Sequence, residues 1–268
     1  MQVVDARPGT AELVLWTGTL VMVLMLALAG VVWTVDKRLI GEVSVWAKPM
    51  RFALSLALHM ATLALIVSLL GRGWRTGTLL ALVAAACAFA SLGEMVYIIA
   101  QAARQQASHF NLATPFTRAM YSAMAAGAAV ITLSAAVVGI AAFADREAEM
   151  APGLRLAVLL GLVGGAVLTL LTAFTIGSRL GPYEGLHPAG GARMVVTGWS
   201  LVVGDLRVAH FLATHMIQVI PLVGLIATRS LPPAVAMGAV CLAAVGWTGL
   251  VLVAYQQALA GRPLPRLF

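Results

Sequence analysis

The sequence is poor in charged residues and in cysteine, and each shortage excludes a class of protein. Charged side chains make up 10% of the chain and hydrophobic residues 61%, a balance that a water-soluble domain could not solvate. Cys87 and Cys241 both lie inside hydrophobic runs, so neither a disulfide framework nor a CxxC metal motif is present. No basic stretch with interleaved aromatic residues indicates nucleic-acid binding. The composition therefore predicts a membrane protein whose main partner is the lipid bilayer.

Long apolar runs take the place of a soluble core. A membrane-spanning helix needs about 20 consecutive apolar residues, and seven stretches reach that length. We predict an all-α integral membrane bundle of seven transmembrane helices, forming a single domain over 1–268. The leading segment has no net positive charge, so we expect the first run to be retained as a helix and not cleaved as a signal peptide. The runs are Leu13–Val35, Arg51–Leu70, Thr78–Ala103, Ala119–Phe143, Leu154–Ile176, Leu206–Ala227 and Ala234–Ala258.

Lysine and arginine are divided unequally between the two sides of the predicted bundle. Because short basic loops are kept in the cytoplasm, the split of six against eleven predicts the N-terminus outside and the C-terminus in the cytoplasm. The six on the N-terminal side are Arg7, Arg72, Arg75, Arg146, Arg155 and Arg229, and the eleven on the other side are Lys37, Arg38, Lys48, Arg51, Arg104, Arg118, Arg179, Arg193, Arg207, Arg262 and Arg266.

One ten-residue pattern, R-x-A-x-x-L-A-x-H-M, occurs twice. It reads RFALSLALHM in 51–60 and RVAHFLATHM in 207–216, a separation of 156 residues that also pairs Ser44 with Ser200. Extended along the chain, this separation maps the first three helices onto the last three, with the fourth as a linker. Parallel repeats of this kind occur in transporters, where the binding site forms between the repeats.

Four ionisable side chains lie within the apolar runs: His59, Glu94, His210 and His215. Such groups are costly in hydrocarbon and therefore mark functional sites. His59 and His215 each lie eight residues, about 12 Å along a helix, beyond the arginine of their repeat, so we expect them to share a depth in the membrane. His210 and His215 lie five residues apart, which turns them about 140° from each other on one helix.

A polar stripe in the third run contains Glu94, Tyr97 and Gln101, which share one helical face that should look into the bundle. One interpretation is a hydrogen-bond network that holds the helices together. The other is a proton path or an acidic ligand beside the histidines. On the second interpretation, the candidate catalytic residues are Glu94, Tyr97 and His210.

Two histidines at equal depth on two helices are what axial ligation of haem b requires. We therefore predict that His59 and His215 hold a haem between the second and sixth runs. Lys48, Arg51 and Arg207 would lie near its propionates, since guanidinium and ammonium groups pair with carboxylates. The protein would then be a membrane redox protein that exchanges electrons with a quinone or another redox partner, and a membrane oxidoreductase is one such protein.

Two alternatives to haem stay open. A non-haem iron, zinc or manganese site could use His59, His215, Glu94 and His210, although the sequence lacks a ligand pair spaced three or four residues apart. A proton-coupled transporter of small solutes could use Glu94 and the histidines instead. The roles of His109 and His187, both in loops, are open, and so is self-association into a homo-oligomer.

Other membrane chemistries lack support. The seventh run contains no lysine, so a retinal Schiff base is not expected. Glycine-rich phosphate loops, GxSxG and HExxH are all absent.

The segment GDLRVAHFLATHMIQVIPL, together with KPMRF and SHFNLATPF upstream, resembles a group of bacterial polytopic inner-membrane proteins with seven helices. The resemblance spans roughly the second to the sixth run. It implies a bacterial inner-membrane location and brings no named activity.

Overall fold

The computed structural model describes residues 8–263, and it consists almost entirely of long helices. Seven of them are long and apolar enough to cross a membrane. The prediction of an all-α bundle of seven membrane-spanning helices is therefore confirmed. Arg7 and Arg266 of the basic-residue count lie outside the described residues. The helices are α1 (Thr10–Val35), α2 (Ala47–Ser68), the short α3 (Arg72–Arg75), α4 (Thr78–Ala103), α5 (Pro115–Ala144), α6 (Pro152–Ser178), α7 (Leu206–Ser230) and α8 (Pro233–Leu259).

The hydrophobic runs locate the helices well but miss where some of them begin. The third run and α4 have the same bounds, Thr78–Ala103. In contrast, α5 begins at Pro115, ahead of the predicted start at Ala119. There Thr114 and Thr117 cap each other's backbone amides, and the proline occupies a first-turn position that needs no N–H. Polar capping residues thus extend a helix beyond the apolar segment that identifies it.

The chain folds into two compact units, and the first comprises 1–150. Within it α1 packs against α2 and α4, and α4 packs against α5. A two-stranded antiparallel hairpin, β1 (Leu39–Ile40) and β2 (Val43–Ser44), precedes α2. Gly41 makes its turn with a φ of 60°, a conformation that glycine adopts without steric cost.

The second unit comprises 151–268, and in its described part α7 packs against both α6 and α8. Its short strands β3 (Tyr183–Glu184) and β4 (Gly204–Asp205) pair antiparallel just before α7. The helices α6 and α7 approach closely because small residues line their contact. A Cβ on Gly224 would collide with Ala157, which is the kind of tight packing that small residues allow between membrane helices.

The C-terminal ends of α4 and α8 are built alike at the predicted separation of 156 residues. Gln105 follows α4 with a φ of 54°, and Gly261 follows α8 with a φ of 70°. In each case the next backbone N–H donates to the carbonyl of a glutamine inside the helix, Gln101 at 2.8 Å and Gln257 at 3.1 Å. Both ends are therefore Schellman caps in the same register.

Side chains repeat this correspondence. The amide of Gln101 donates to the carbonyl six residues further on at 3.1 Å, and the amide of Gln257 does the same at 2.6 Å. Ser44 and Ser200 each accept the backbone N–H two residues further on at 3.2 Å. These matched contacts support the predicted 3+1+3 repeat, with α1, α2 and α4 corresponding to α6, α7 and α8. The linker before α7 is longer than the linker before α2, so the first helices align only across an insertion.

Candidate functional site

The polar stripe of α4 lies in the interior of the first unit, as predicted. Four of its side chains are buried, with exposed fractions of 0% for Ser91, 5% for Glu94, 7% for Tyr97 and 1% for Gln101. Their spacing of three or four residues places them on one face of the helix. The α4 stripe, as we call these four residues, is therefore a polar face inside a membrane-spanning helix.

Three neighbouring members of the α4 stripe are unsatisfied. Ser91 Oγ, Glu94 Oε1 and Tyr97 OH are buried and have no hydrogen-bond partner among the described residues. Gln101, in contrast, donates to a backbone carbonyl. Buried polar groups in proteins are almost always paired because leaving one unpaired costs free energy. Ser91 has the weakly polar thiol of Cys87 nearby, whereas no such neighbour among the described residues accounts for Glu94 Oε1 or Tyr97 OH.

Helix α5 covers the α4 stripe. Glycine at position 127 lets α5 approach closely, since a Cβ there would lie 3.2 Å from Glu94 Oε1. Further along α5, Ser134 Oγ lies 3.3 Å from Nε2 of His59, whose ring is only 6% exposed. The stripe and His59 are thus both enclosed by the fourth membrane-spanning helix of the unit.

One ring nitrogen of His59 contacts a serine of α5. Ser134 donates its hydroxyl proton to the carbonyl of Ile131 at 2.6 Å. A hydroxyl has one proton, so Ser134 Oγ accepts from His59, and His59 Nε2 holds the proton of that contact. In that tautomer Nδ1 of His59 is the unprotonated nitrogen, the form in which an imidazole can ligate a metal. The predicted pairing of His59 with His215 around a haem stays a prediction.

Where α2 begins, Lys48 binds a loop histidine. Its Nζ donates to Nδ1 of His109 at 2.9 Å, and it also lies 5.4 Å from the centre of the Phe52 ring. Burial, with the nearby charge of Lys48, lowers the pKa of His109 to about 3. His109 is therefore neutral at physiological pH and accepts the lysine proton at Nδ1, which leaves Nε2 as the protonated nitrogen.

A small cavity opens beside Lys48. Its volume is about 190 Å³, and we call it the Lys48 cavity. Ile98, one turn after Glu94 on α4, lines this cavity, which places the cavity next to the α4 stripe, and Lys48 attracts Glu94 electrostatically. Arg51, predicted beside Lys48, is exposed and contributes to the same wall. The cavity is lined by Ile40, Val43, Ser44, Val45, Lys48, Pro49, Arg51, Ile98, Ala102, Gln106, Ala107 and Ser108.

The predicted site residues of the second unit make other contacts. His210 Nδ1 lies 2.9 Å from Thr172 Oγ1 on α6. His215 is partly buried, and its ring centre lies 4.2 Å from that of Phe211. Arg207 forms a salt bridge of 2.5 Å with the carboxylate that caps α7. The guanidinium of Arg207 is thus already paired within its own unit.

The structure brings four of the predicted site residues together in the first unit. Lys48, Arg51, Glu94 and Tyr97 lie in the first unit around the Lys48 cavity and the α4 stripe. Within 8–263, no group of three or more His, Cys, Asp or Glu residues could hold a metal ion. Haem b and the alternatives of non-haem iron, zinc and manganese stay predictions.

Sequence reasoning missed several residues of this region. Ser91 lies three residues before Glu94 on the same face, so the helical period could have identified it. His109 was recognised only as a loop residue of open role. No pattern in the sequence pointed to the contact of Lys48 with His109, or to that of His59 with Ser134, because each joins residues far apart in the chain.

The chain matches no family model, no curated protein and no solved structure. The fold itself defines a class, a multi-pass α-helical membrane protein built on an internal repeat. Within that class, this chain has a buried polar stripe on one helix of its first unit and a small cavity beside it.

Proposed function

We propose that the protein is a proton-coupled transporter of a small solute and that Glu94 is its proton site. The observation that supports this most strongly is the buried, unpartnered carboxyl oxygen of Glu94 in a membrane-spanning helix. Carboxyl groups in such positions mark ion and proton paths. The attraction between Glu94 and Lys48 gives the ionised carboxylate a cationic partner when the proton leaves.

The neighbours of Glu94 supply groups through which a proton can move. Ser91 and Tyr97 present hydroxyls on the same face of α4, one turn to either side, and neither hydroxyl has a hydrogen-bond partner among the described residues. A hydroxyl both donates and accepts. These side chains therefore form a short hydrophilic path along α4, beside an otherwise apolar interior.

The internal repeat favours the same function. Many transporters are built from structural repeats, and parallel repeats are one of the known arrangements. We further propose the orientation that the basic residues predict, with the C-terminus in the cytoplasm of a bacterial inner membrane. A reporter that is active only in the periplasm should stay silent when it is fused after Phe268.

The direct test is solute-driven proton movement in vesicles of phosphatidylethanolamine and phosphatidylglycerol that enclose a pH-sensitive dye. Small carboxylates, amines, amino acids and sugars are added in turn to vesicles that contain the purified chain. We expect one class to drive proton entry. Glu94→Gln should reduce that rate about 100-fold or more, as removal of a proton-transfer group commonly does. Glu147→Gln makes the same change at an exposed position and should leave the rate unchanged.

The competing hypothesis is the haem-binding redox protein, which rests on the recurrence of His59 and His215. An absorption spectrum of the purified protein separates the two functions, because a haem produces a Soret band. A Soret band that disappears in both His59→Ala and His215→Ala, with no proton movement for any solute, would replace the transporter by the redox protein. Stoichiometric iron, zinc or manganese lost in the same variants would indicate the non-haem site.

A further inference from the structure

The walls of the Lys48 cavity are cationic. Lys48 and Arg51 both line it, and none of the residues that line it is acidic. The neighbouring His109 is neutral, because burial and the charge of Lys48 hold its pKa at about 3. A cavity lined by one sign of charge concentrates ions of the opposite sign, so this cavity favours an anion.

Lys48 has hydrogen-bonding capacity left for that anion. Its ammonium group has three donors, and one of them is used by His109 Nδ1 at 2.9 Å. The contact with neutral His109 positions the ammonium group without cancelling its charge. Phe52 packs against the same ammonium group and restricts it further. Lys48 therefore places a positively charged hydrogen-bond donor in a fixed position at the edge of the cavity.

The size and lining of the cavity restrict the anion. A volume of about 190 Å³ equals the space of about six water molecules at roughly 30 Å³ each. The walls offer few polar side chains beside the two cations, and much of the lining is aliphatic. A short apolar chain with one anionic end fits this lining better than a sugar does. The aliphatic residues of the lining are Ile40, Val43, Val45, Ile98, Ala102 and Ala107.

We infer that the transported solute is a short-chain monocarboxylate, which Lys48 binds as the anion while Glu94 holds a proton. This inference rests on the proposed transport function and adds the substrate class. Ile98, one turn after Glu94 on α4, lines the cavity, and Lys48 and Glu94 attract each other electrostatically. The carboxylate of the solute would therefore compete with the carboxylate of Glu94 for the charge of Lys48. Two ionised carboxylates at one site repel each other, so the solute binds when Glu94 is protonated. One proton then accompanies one anion, and the transported pair has no net charge.

The other groups around Glu94 do not replace it in this role. On α4 itself, the other titratable groups are the thiol of Cys87 and the phenol of Tyr97. His59 on α2 is engaged by Ser134, and Glu12 on α1 is paired with Arg75 of α3. The charged and titratable groups on α4 and on the helices packed against it are Glu12, Lys48, Arg51, His59, Arg72, Arg75, Cys87, Tyr97, Arg118 and Tyr121.

Equilibrium binding of radiolabelled butyrate to the detergent-purified full chain tests the inference. The chain has two lysines, which provide a matched pair of variants. Lys48→Gln should weaken butyrate binding about tenfold or more, as truncation of a buried charge partner does. Lys37→Gln should leave it unchanged, because Lys37 is exposed and its Nζ donates to a backbone carbonyl of α1. Equal binding by the two variants would overturn the inference.

Proton linkage gives a second and independent readout. Butyrate binding by the wild type should tighten between about pH 7.5 and about pH 5.5, by at most tenfold per pH unit for one linked proton. Glu94→Gln resembles the protonated state, so its binding should be tight at both pH values. A variant Glu94→Gln that keeps the wild-type pH dependence would contradict the coupling between proton and anion.

Competition between butyrate and ligands of similar shape requires only the wild-type protein, so its result does not depend on whether the variants fold. In the wild type, butanesulfonate, which is permanently anionic, should compete with butyrate, whereas butyramide and butylammonium should not. Competition by butyramide equal to that of butyrate would show that the anionic group is not what the site recognises. If vesicles instead show Glu94-dependent proton movement with an amine or a sugar, the transport function stands and the carboxylate inference fails.

Discussion

The two units share a repeat, yet among the described residues the last repeat helix has a buried polar stripe only in the first unit. At the separation of 156 residues, Glu94 corresponds to Leu250 and Tyr97 to Val253. The two polar side chains are buried, whereas Leu250 is 55% exposed and Val253 is 63% exposed. The same face of the same repeat helix is therefore a polar interior surface in one unit and an apolar exterior surface in the other.

The difference comes from the fourth helix of the first unit. Helix α5 packs on α4 and covers the α4 stripe, while the described part of the second unit has only α6, α7 and α8. Lys48 also has no counterpart, because its equivalent is Gly204, where a side chain would collide with the Ala258 carbonyl. The buried polar face of α4 thus depends on a covering helix that the described part of the second unit lacks.

The largest effect on the free energy of unfolding is expected from the repeated histidines, because His59 is buried and His215 is only partly buried. His59→Ala removes a buried ring together with its hydrogen bond to Ser134, so it should lower the free energy of unfolding by about 2–3 kcal/mol. His215→Ala should cost about 1 kcal/mol or less, because His215 is only partly buried. Equilibrium unfolding in mixed detergent micelles measures both. If His215→Ala lowers the free energy of unfolding as much as His59→Ala or more, the difference that we infer between the two units is wrong.

A smaller effect should be shared by both units. Gln101→Leu and Gln257→Leu each remove the side-chain hydrogen bond that fastens the chain after the last repeat helix, at about 1 kcal/mol per bond. We expect the larger loss for Gln101, which is 1% exposed. The same unfolding assay applies, with Gln256→Leu as an exposed control on α8. An effect in only one of the two units would show that the matched caps do not contribute equally.

The smallest effect concerns pH. The pKa of His109 is lowered to about 3 by burial and by Lys48, so the fold favours the neutral ring. Its contribution to stability is complete above the usual value of about 6.5 and is lost as the pH falls toward 3. Between about pH 6.5 and about pH 5.5 the thermal midpoint should therefore fall by roughly 2–4 °C more in the wild type than in His109→Gln, because one pH unit of this linkage is worth about 1 kcal/mol.

The second repeat cannot show this effect, since its equivalent of His109 is Pro265, which lies outside the described residues. If His109→Gln and the wild type lose thermal stability in parallel as the pH falls, His109 is not the titrating group.

Much of the fold was predictable from local sequence. Each of the seven apolar runs corresponds to a helix, because hydrocarbon requires a continuous apolar segment with all backbone hydrogen bonds satisfied inside it. The burial of Glu94, Tyr97 and Gln101 followed from the helical period. The repeat was visible in the sequence from a few matched residues, and the structure added matching caps at Gln101 and Gln257 that composition could not supply.

What the sequence alone determined is thus the number and position of the helices and which of their faces are polar, since both depend on neighbours within a few turns. The tertiary structure alone decided which polar faces are covered. It placed α5 over α4 and Ser134 beside His59, and it brought Lys48 to His109. These contacts join residues that no local period relates, and they depend on how helices of similar hydropathy pack. Hydropathy gives each helix its place in the membrane but does not choose its neighbours.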